Sequence, residues 1–295
     1  MKKLIILGCA FFAFSAMAAD QPLAEAQTTT ATNSMADKLI DDILVVTGIK
    51  ENLQSISDQV GQGIRASTQN EPTRLSEDLI SEMEHVATQA YSSETLVGGI
   101  ANALKENWHE ARLREVLQTS STPLSRRMTA LESQQPAPAE LGAFISRLAT
   151  QPLPPARLAL LKQLDEISRS SEFAVKILSS TMRSVAIGVT GGCGDGIATF
   201  NKKFAAQRGQ LEENTRNSTR AQMAYIYRDV SDADLRKYVK SLGKPSSRWF
   251  ADIVYSALDK GFTTSGEQMG RGLQEVLKKK FGSSKKEIAA GCQEV

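Results

Sequence analysis

Apolar residues recur along this chain in steps of three and four, the spacing of one helix face. Leu39, Ile40, Ile43, Leu44 and Val46 form the first such face, and Thr47-Gly48 ends it. Its start is predicted at Ser34, with Asp37 three residues on, a pattern of helix N-termini. Ile49, Leu53, Ile56, Val60 and Ile64 then fall on one stripe, predicting a single helix with Lys50, Glu51, Asp58 and Arg65 turned outward. Leu75, Leu79, Met83, Val86 and Ala90 repeat that logic, as do Val97, Ile100, Leu104 and Trp108. No segment alternates apolar and polar residues between hairpin turns, and aromatics make up only 6% of the chain, so the predicted fold class is all-α.

Two proline-bearing stretches punctuate the middle: Gln-Gln-Pro-Ala-Pro-Ala at 134–139 and Gln-Pro-Leu-Pro-Pro at 151–155. Leu141 to Ala149 between them predicts a short connecting helix. Leu158, Leu161, Leu164 and Ile167 open a second helical region, which Phe173, Ile177, Leu178 and Val185 continue. Ser180, Met182 and Ala186 keep that second helix thin enough for close packing.

The two regions share a pattern. Ala111, Leu113, Arg114, Pro123, Ser125 and Arg126 return as Ala233, Leu235, Arg236, Pro245, Ser247 and Arg248, at a constant shift of 122 residues (233 minus 111). Val116 and Leu117 correspond to Tyr238 and Val239, and Met128 and Leu131 to Phe250 and Ile253. A duplicated helical unit accounts for this, so two related units are predicted, forming one bundle or two packed bundles. The expected organisation is a signal peptide (1–19), a flexible leader (20–34), a first helical unit (35–133), a Pro-rich linker with a short helix (134–155), a second unit (156–281) and a basic tail (282–295).

The first 19 residues read as a secretory signal: Lys2-Lys3, an apolar stretch from Leu4 to Phe14, and Ala16-Met17-Ala18 before the cut. The apolar stretch is shorter than the roughly 20 residues of a spanning helix, so cleavage and a soluble periplasmic or secreted chain are expected, with no membrane span afterwards. Removing Lys2 and Lys3 from 35 basic and 33 acidic residues leaves the processed chain neutral, which argues against a nucleic-acid partner. The one dense basic run, Lys278-Lys279-Lys280 with Lys285-Lys286 beyond, reads as a helix C-terminus whose charges suit the helix dipole. Cys193 and Cys292 survive processing, and two thiols in an oxidising compartment predict one disulfide between them.

Candidate chemistry is sparse. Gly188 to Gly196 lacks the lysine and hydroxyl of a phosphate loop, the preceding strand of a dinucleotide loop and the carboxylates of a calcium loop, so it reads as a helix break that frees Cys193 to reach Cys292. His85 and His109 stand alone, without metal-ligand or nucleophile spacing, and no cofactor is expected. Tyr225, Tyr227, Tyr238, Trp249, Phe250 and Tyr255 make the second repeat the aromatic half; they read first as core and second as the wall of a pocket. Arg114, Arg126, Arg236 and Arg248 occupy equivalent repeat positions and are candidate anion contacts, with a structural role at helix ends as the alternative.

Ile43-Leu44-Val45-Val46-Thr47-Gly48 and the helix from Ile49, together with Asp234-Leu235 and Pro245 ten residues after that leucine, resemble a bacterial exported helical family of unknown function (DUF 2059). Leu113 and Pro123 keep the same spacing in the first half. Ser241-Leu242, Lys244 and Ser247 depart from the aromatic pair, serine and glycine that the family carries around its proline. The resemblance implies an exported all-α protein and carries no activity with it.

The sequence thus reads as an exported helical protein acting by binding in the cell envelope, on an unknown protein or small-molecule partner. It leans away from an enzyme. An envelope hydrolase or transferase whose carboxylates meet only in the fold is one alternative, and a lipid or small-molecule carrier is another.

Overall fold

The structure, a computed structural model, describes residues 28–69, 76–134, 136–190 and 195–281. The signal, the basic tail, Cys193 and Cys292 lie outside these. Among the described residues every regular element is a helix, as the periodicity predicts: α1 (Thr28–Val46), α2 (Ile49–Gln54), α3 (Ile56–Gln69), α4 (Glu77–Ala90), α5 (Ser93–Glu106), α6 (Glu110–Ser120), α7 (Pro123–Glu132), α8 (Pro138–Thr150), α9 (Pro155–Ser168), α10 (Ser170–Thr190), α11 (Asp195–Ile226), α12 (Asp232–Leu242) and α13 (Pro245–Phe281).

Local chemistry explains the boundaries. Thr47 closes α1 through both its amide and its hydroxyl on the Ile43 carbonyl, and Gly48 turns the chain at φ 101°, a left-handed conformation that favours glycine. Ser76, Ser92, Thr122 and Ser231 cap α4, α5, α7 and α12 by accepting a backbone N–H three residues on. Four details differ from the sequence reading. Trp108, expected on one apolar face with Val97, Ile100 and Leu104, lies two residues beyond the end of α5 and is 40% exposed. The α1 helix begins at Thr28, so Ser34 lies inside it and part of the expected leader is helical. The stripe from Ile49 to Ile64 is broken at Ser55, whose hydroxyl donates to the Asn52 carbonyl at 2.9 Å and competes with the helix ladder. The inward face of α9 is Leu160, Leu161 and Leu164, while Leu158 points to solvent.

The helices enclose two hydrophobic clusters. The larger joins α1–α6 with Phe173 and Ile177 of α10 and with α13, from Phe250 to Leu273. The smaller joins Met128 of α7 with α9, the end of α11 and α12. Each cluster is therefore built from both halves of the chain. At 37 residues, α13 runs about 55 Å and serves as a spine for α4, α5, α6 and α10. Close approach needs small residues here: a Cβ at Gly266 would strike Ser184, and one at Gly272 would lie 2.5 Å from Val86 Cγ1.

The repeat is structural. Applying the 122-residue shift to the first residues of α6 and α7 gives the first residues of α12 and α13. Pro123 and Pro245 both open a helix, where a missing N–H is tolerated. Ser125 Oγ donates to the Thr119 carbonyl at 2.8 Å, and its counterpart Ser247 Oγ donates to the Ser241 carbonyl at 3.1 Å. The two copies also exchange partners, with α6 against α13 and α7 against α12. Arg112 lies over the Trp249 ring at 5.5 Å, and the same shift turns that pair into Asp234 and Arg127, which form an ion pair at 3.6 Å. Such reciprocal contacts are those of a two-fold interface, here within one chain.

Leu113 and Leu235 are fully buried at matching positions, one in each cluster. Leu113→Ala and Leu235→Ala are each expected to lower unfolding free energy by about 2–5 kcal/mol in urea titrations. Arg112→Ala, by loss of its contact with Trp249, should cost no more than about 1 kcal/mol.

Candidate functional site

Where the two repeats meet, one face of α7 and the equivalent face of α13 look into a shared cavity of about 140 Å³. Ser125, Thr129 and Glu132 stand at i, i+4 and i+7 on α7, so they fall on one stripe. Their counterparts on α13 are Ser247, Ala251 and Val254, which line the same cavity. The carboxyl-terminal ends of α6 and α12 add Thr119 and Ser241, again a repeat-related pair. The cavity thus lies on the pseudo-two-fold between the copies. It also lies at the seam of the two clusters, since Val116 and Phe250 belong to the larger and Leu164 and Tyr227 to the smaller.

The seam has a polar centre. Glu132 is only 6% exposed, and both Tyr227 and Tyr238 donate their hydroxyls to its Oε1, the latter at 3.0 Å. Oε2 has no protein donor among the described residues. Burial penalises the charged carboxylate and pushes Glu132 up to about 7, against the opposing pull of the two phenols. The phenols of Tyr227 and Tyr238 are themselves raised well above the usual range by burial and by the carboxyl beside them, so they stay neutral donors. Tyr255 closes another part of the wall and donates its hydroxyl to the Ser168 carbonyl, satisfying an orphan group at the end of α9.

A second buried acid nearby has its partners already. Asp165 accepts from the Ser171 amide at 2.9 Å, the Ser171 hydroxyl at 2.8 Å and Arg220 Nε at 3.0 Å. It holds the start of α10 to α9 and α11. Arg157, itself buried, similarly ties α9 to Asp232 at 2.7 Å and to the Tyr227 carbonyl.

The sequence-level candidates are distributed differently. Of the aromatic group, Tyr227, Tyr238, Phe250 and Tyr255 line the cavity and are also core residues. Tyr225 instead packs edge-on against Phe144 and donates to Glu140 at 2.7 Å, while Trp249 faces His109 and Arg112. Arg114 pairs with Glu110 one turn away at 2.7 Å, and Arg126, Arg236 and Arg248 are exposed; none of the four lines the cavity. The expected helix break at Gly188 to Gly196 falls largely on Gly191 to Gly194, which, with Cys193 and Cys292, lie outside the described residues. His85 is exposed on α4 and His109 precedes α6. No group of metal-ligating side chains occurs among the described residues.

Glu132 escaped the sequence reading, although a signal for it exists. The 122-residue shift sets this acid opposite Val254, on a stripe whose neighbours at 128 and 250 are both apolar and buried. No family model matches this chain, and no curated protein or solved structure matches it either. The cavity's own chemistry therefore has to carry the functional reading.

Because Glu132 is raised in the folded protein, its contribution is fully present below its unfolded value near 4.5 and is lost as pH rises through about 7. Relative to Glu132→Gln, the unmodified protein should lose about 3 kcal/mol between pH 4.5 and pH 8 in urea titrations. A constant difference across that range would show that the carboxyl ionises freely.

Proposed function

We propose that this protein is an exported, non-catalytic binding protein that seats a small molecule in the cavity between its two repeats. The observation that carries the reading is an apolar, hydroxyl-rimmed cavity with one buried carboxyl whose second oxygen has no protein donor. Ligand sites combine apolar walls with a few placed polar groups in this way. At about 140 Å³ the cavity is near the size of one known to hold benzene, about 150 Å³, and below the roughly 300–1,000 Å³ of drug-sized sites. A lipid chain would overfill this cavity, and a ligand of about five to ten heavy atoms fits it best.

The described lining includes no histidine, lysine or cysteine, and Glu132 is its one carboxyl. A raised carboxyl suits a general acid, but hydrolysis by paired acids needs a second, and Asp165 is held by Ser171 and Arg220. Binding is the simpler use of this geometry. Export rests on the Lys-apolar-Ala16-x-Ala18 pattern and on the resemblance to DUF 2059, and that compartment would join Cys193 to Cys292. No described helix is long and apolar enough to cross a membrane.

Two experiments test the proposal. A thermal-shift panel of small alcohols, amines, acids and monocyclic compounds should contain saturable stabilisers, and Ala251→Leu, which fills the cavity, should abolish their effect. Stabilisation that survives Ala251→Leu, or none across the panel, would overturn the cavity as the binding site. For export, the mass of protein taken from its native host should place the N-terminus at Ala19 or Asp20; a chain retaining Met1 would refute it.

A further inference from the structure

The charge pattern of the cavity narrows the ligand class, an inference that rests on the cavity reading above. Glu132 is the one charged residue in the described lining. The polar remainder is hydroxyls and Gln222, groups able to solvate but not to neutralise an ion. A carboxylate ligand would meet a buried acid with no arginine or lysine to offset it, and a phosphate would fare worse. A neutral apolar ligand would leave Oε2 of Glu132 facing hydrocarbon, a buried polar atom without a partner. A ligand carrying positive charge satisfies both the carboxyl and the rings of Tyr227, Tyr238, Tyr255 and Phe250 that form the wall around it. Aromatic walls combined with an acid are the usual solution for recognising ammonium groups.

We propose that the cavity binds a small organic cation, a primary to quaternary amine of about five to nine heavy atoms, with its nitrogen against Oε2 of Glu132 and its carbon skeleton against Leu164, Met223 and Val254. The asymmetry between the repeats supplies the orientation. The α7 stripe offers Ser125, Thr129 and Glu132, whereas the α13 stripe offers Ser247, Ala251 and Val254, so one end of the cavity takes the charge and the other the apolar body. Glu132 must ionise to hold the cation. The titratable groups facing it are Tyr227 from the turn after α11 and Tyr238 from α12, both neutral donors that remain so. Tyr255 of α13 is likewise raised by burial, and Asp165 and Arg220 are paired with each other.

Calorimetry on the full processed chain tests this with two matched pairs: choline against 3,3-dimethylbutan-1-ol, and benzylamine against benzyl alcohol. Within at least one pair the cation should bind at least tenfold more tightly at pH 8. Its affinity should fall about tenfold between pH 8 and pH 6, as the carboxyl takes up its proton, while the alcohol's stays level. Glu132→Gln should remove the preference for the cation and flatten the pH profile, with melting behaviour showing that it folds. If Glu132→Gln fails to fold, the pH profile of the unmodified protein decides. Alcohols binding as well as the cations, or cation binding indifferent to pH and to Glu132→Gln, would overturn the cation assignment and leave the cavity reading standing. Absence of binding by all four compounds would also overturn it. The cavity reading is decided separately, by Ala251→Leu and the wider panel.

Discussion

Leu113 on α6 is buried in a cluster that α13 completes, and Leu235 on α12 in a cluster that holds Met128 of α7. This exchange between two copies of one helix-turn-helix unit is the constraint on which the remaining architecture depends. Each unit presents an apolar face that its own second helix does not cover. The α8 segment and its flanking prolines let the chain travel from one copy to the other, while α1–α5 and α9–α11 fill the space around the exchanged pair.

The cavity follows from the same exchange. Two similar helix faces brought together around a pseudo-two-fold place like residues near like, and here those residues are small: Ser125 and Ser247, Thr119 and Ser241, Thr129 and Ala251. Close-packed interiors leave few voids larger than a water molecule, so a persistent gap lined by short side chains needs a reason. Divergence at two positions, Thr129 against Ala251 and Glu132 against Val254, gives that gap a polar end and an apolar end. In a symmetric homodimer the two ends would be identical; a duplicated chain is free to differentiate them.

Much of this fold was legible in the chain because helix faces are local. The stripes at Leu39–Leu44, Leu79–Ala90 and Ile100–Leu104 are buried as their spacing predicts, and the repeat at Leu113 and Leu235 appears in space with its serine hydrogen bonds intact. Elements set by competition between nearby groups were harder. A hydroxyl at Ser55 divides an otherwise continuous stripe, and Leu158 falls outside a face that begins two residues later. Long-range pairing was not legible at all. Nothing in the spacing of α7 says that it joins Met223 and Tyr238, and so nothing said that Glu132 would sit beneath two phenols. The aromatic group was read as core before pocket, and at the seam its members are both.

The placement of α13 has a consequence for how the chain is made. The larger cluster is opened by Leu39 and closed by Leu273, so the earliest helices to emerge during synthesis wait for almost the last. The early helices pack partly on one another, but until then their shared core lacks the helix that completes it, and contacts across so many residues form slowly. A nascent chain of this design completes its larger core only when nearly all of it exists. Were the chain exported as proposed, that delay would keep it in the state that translocation requires.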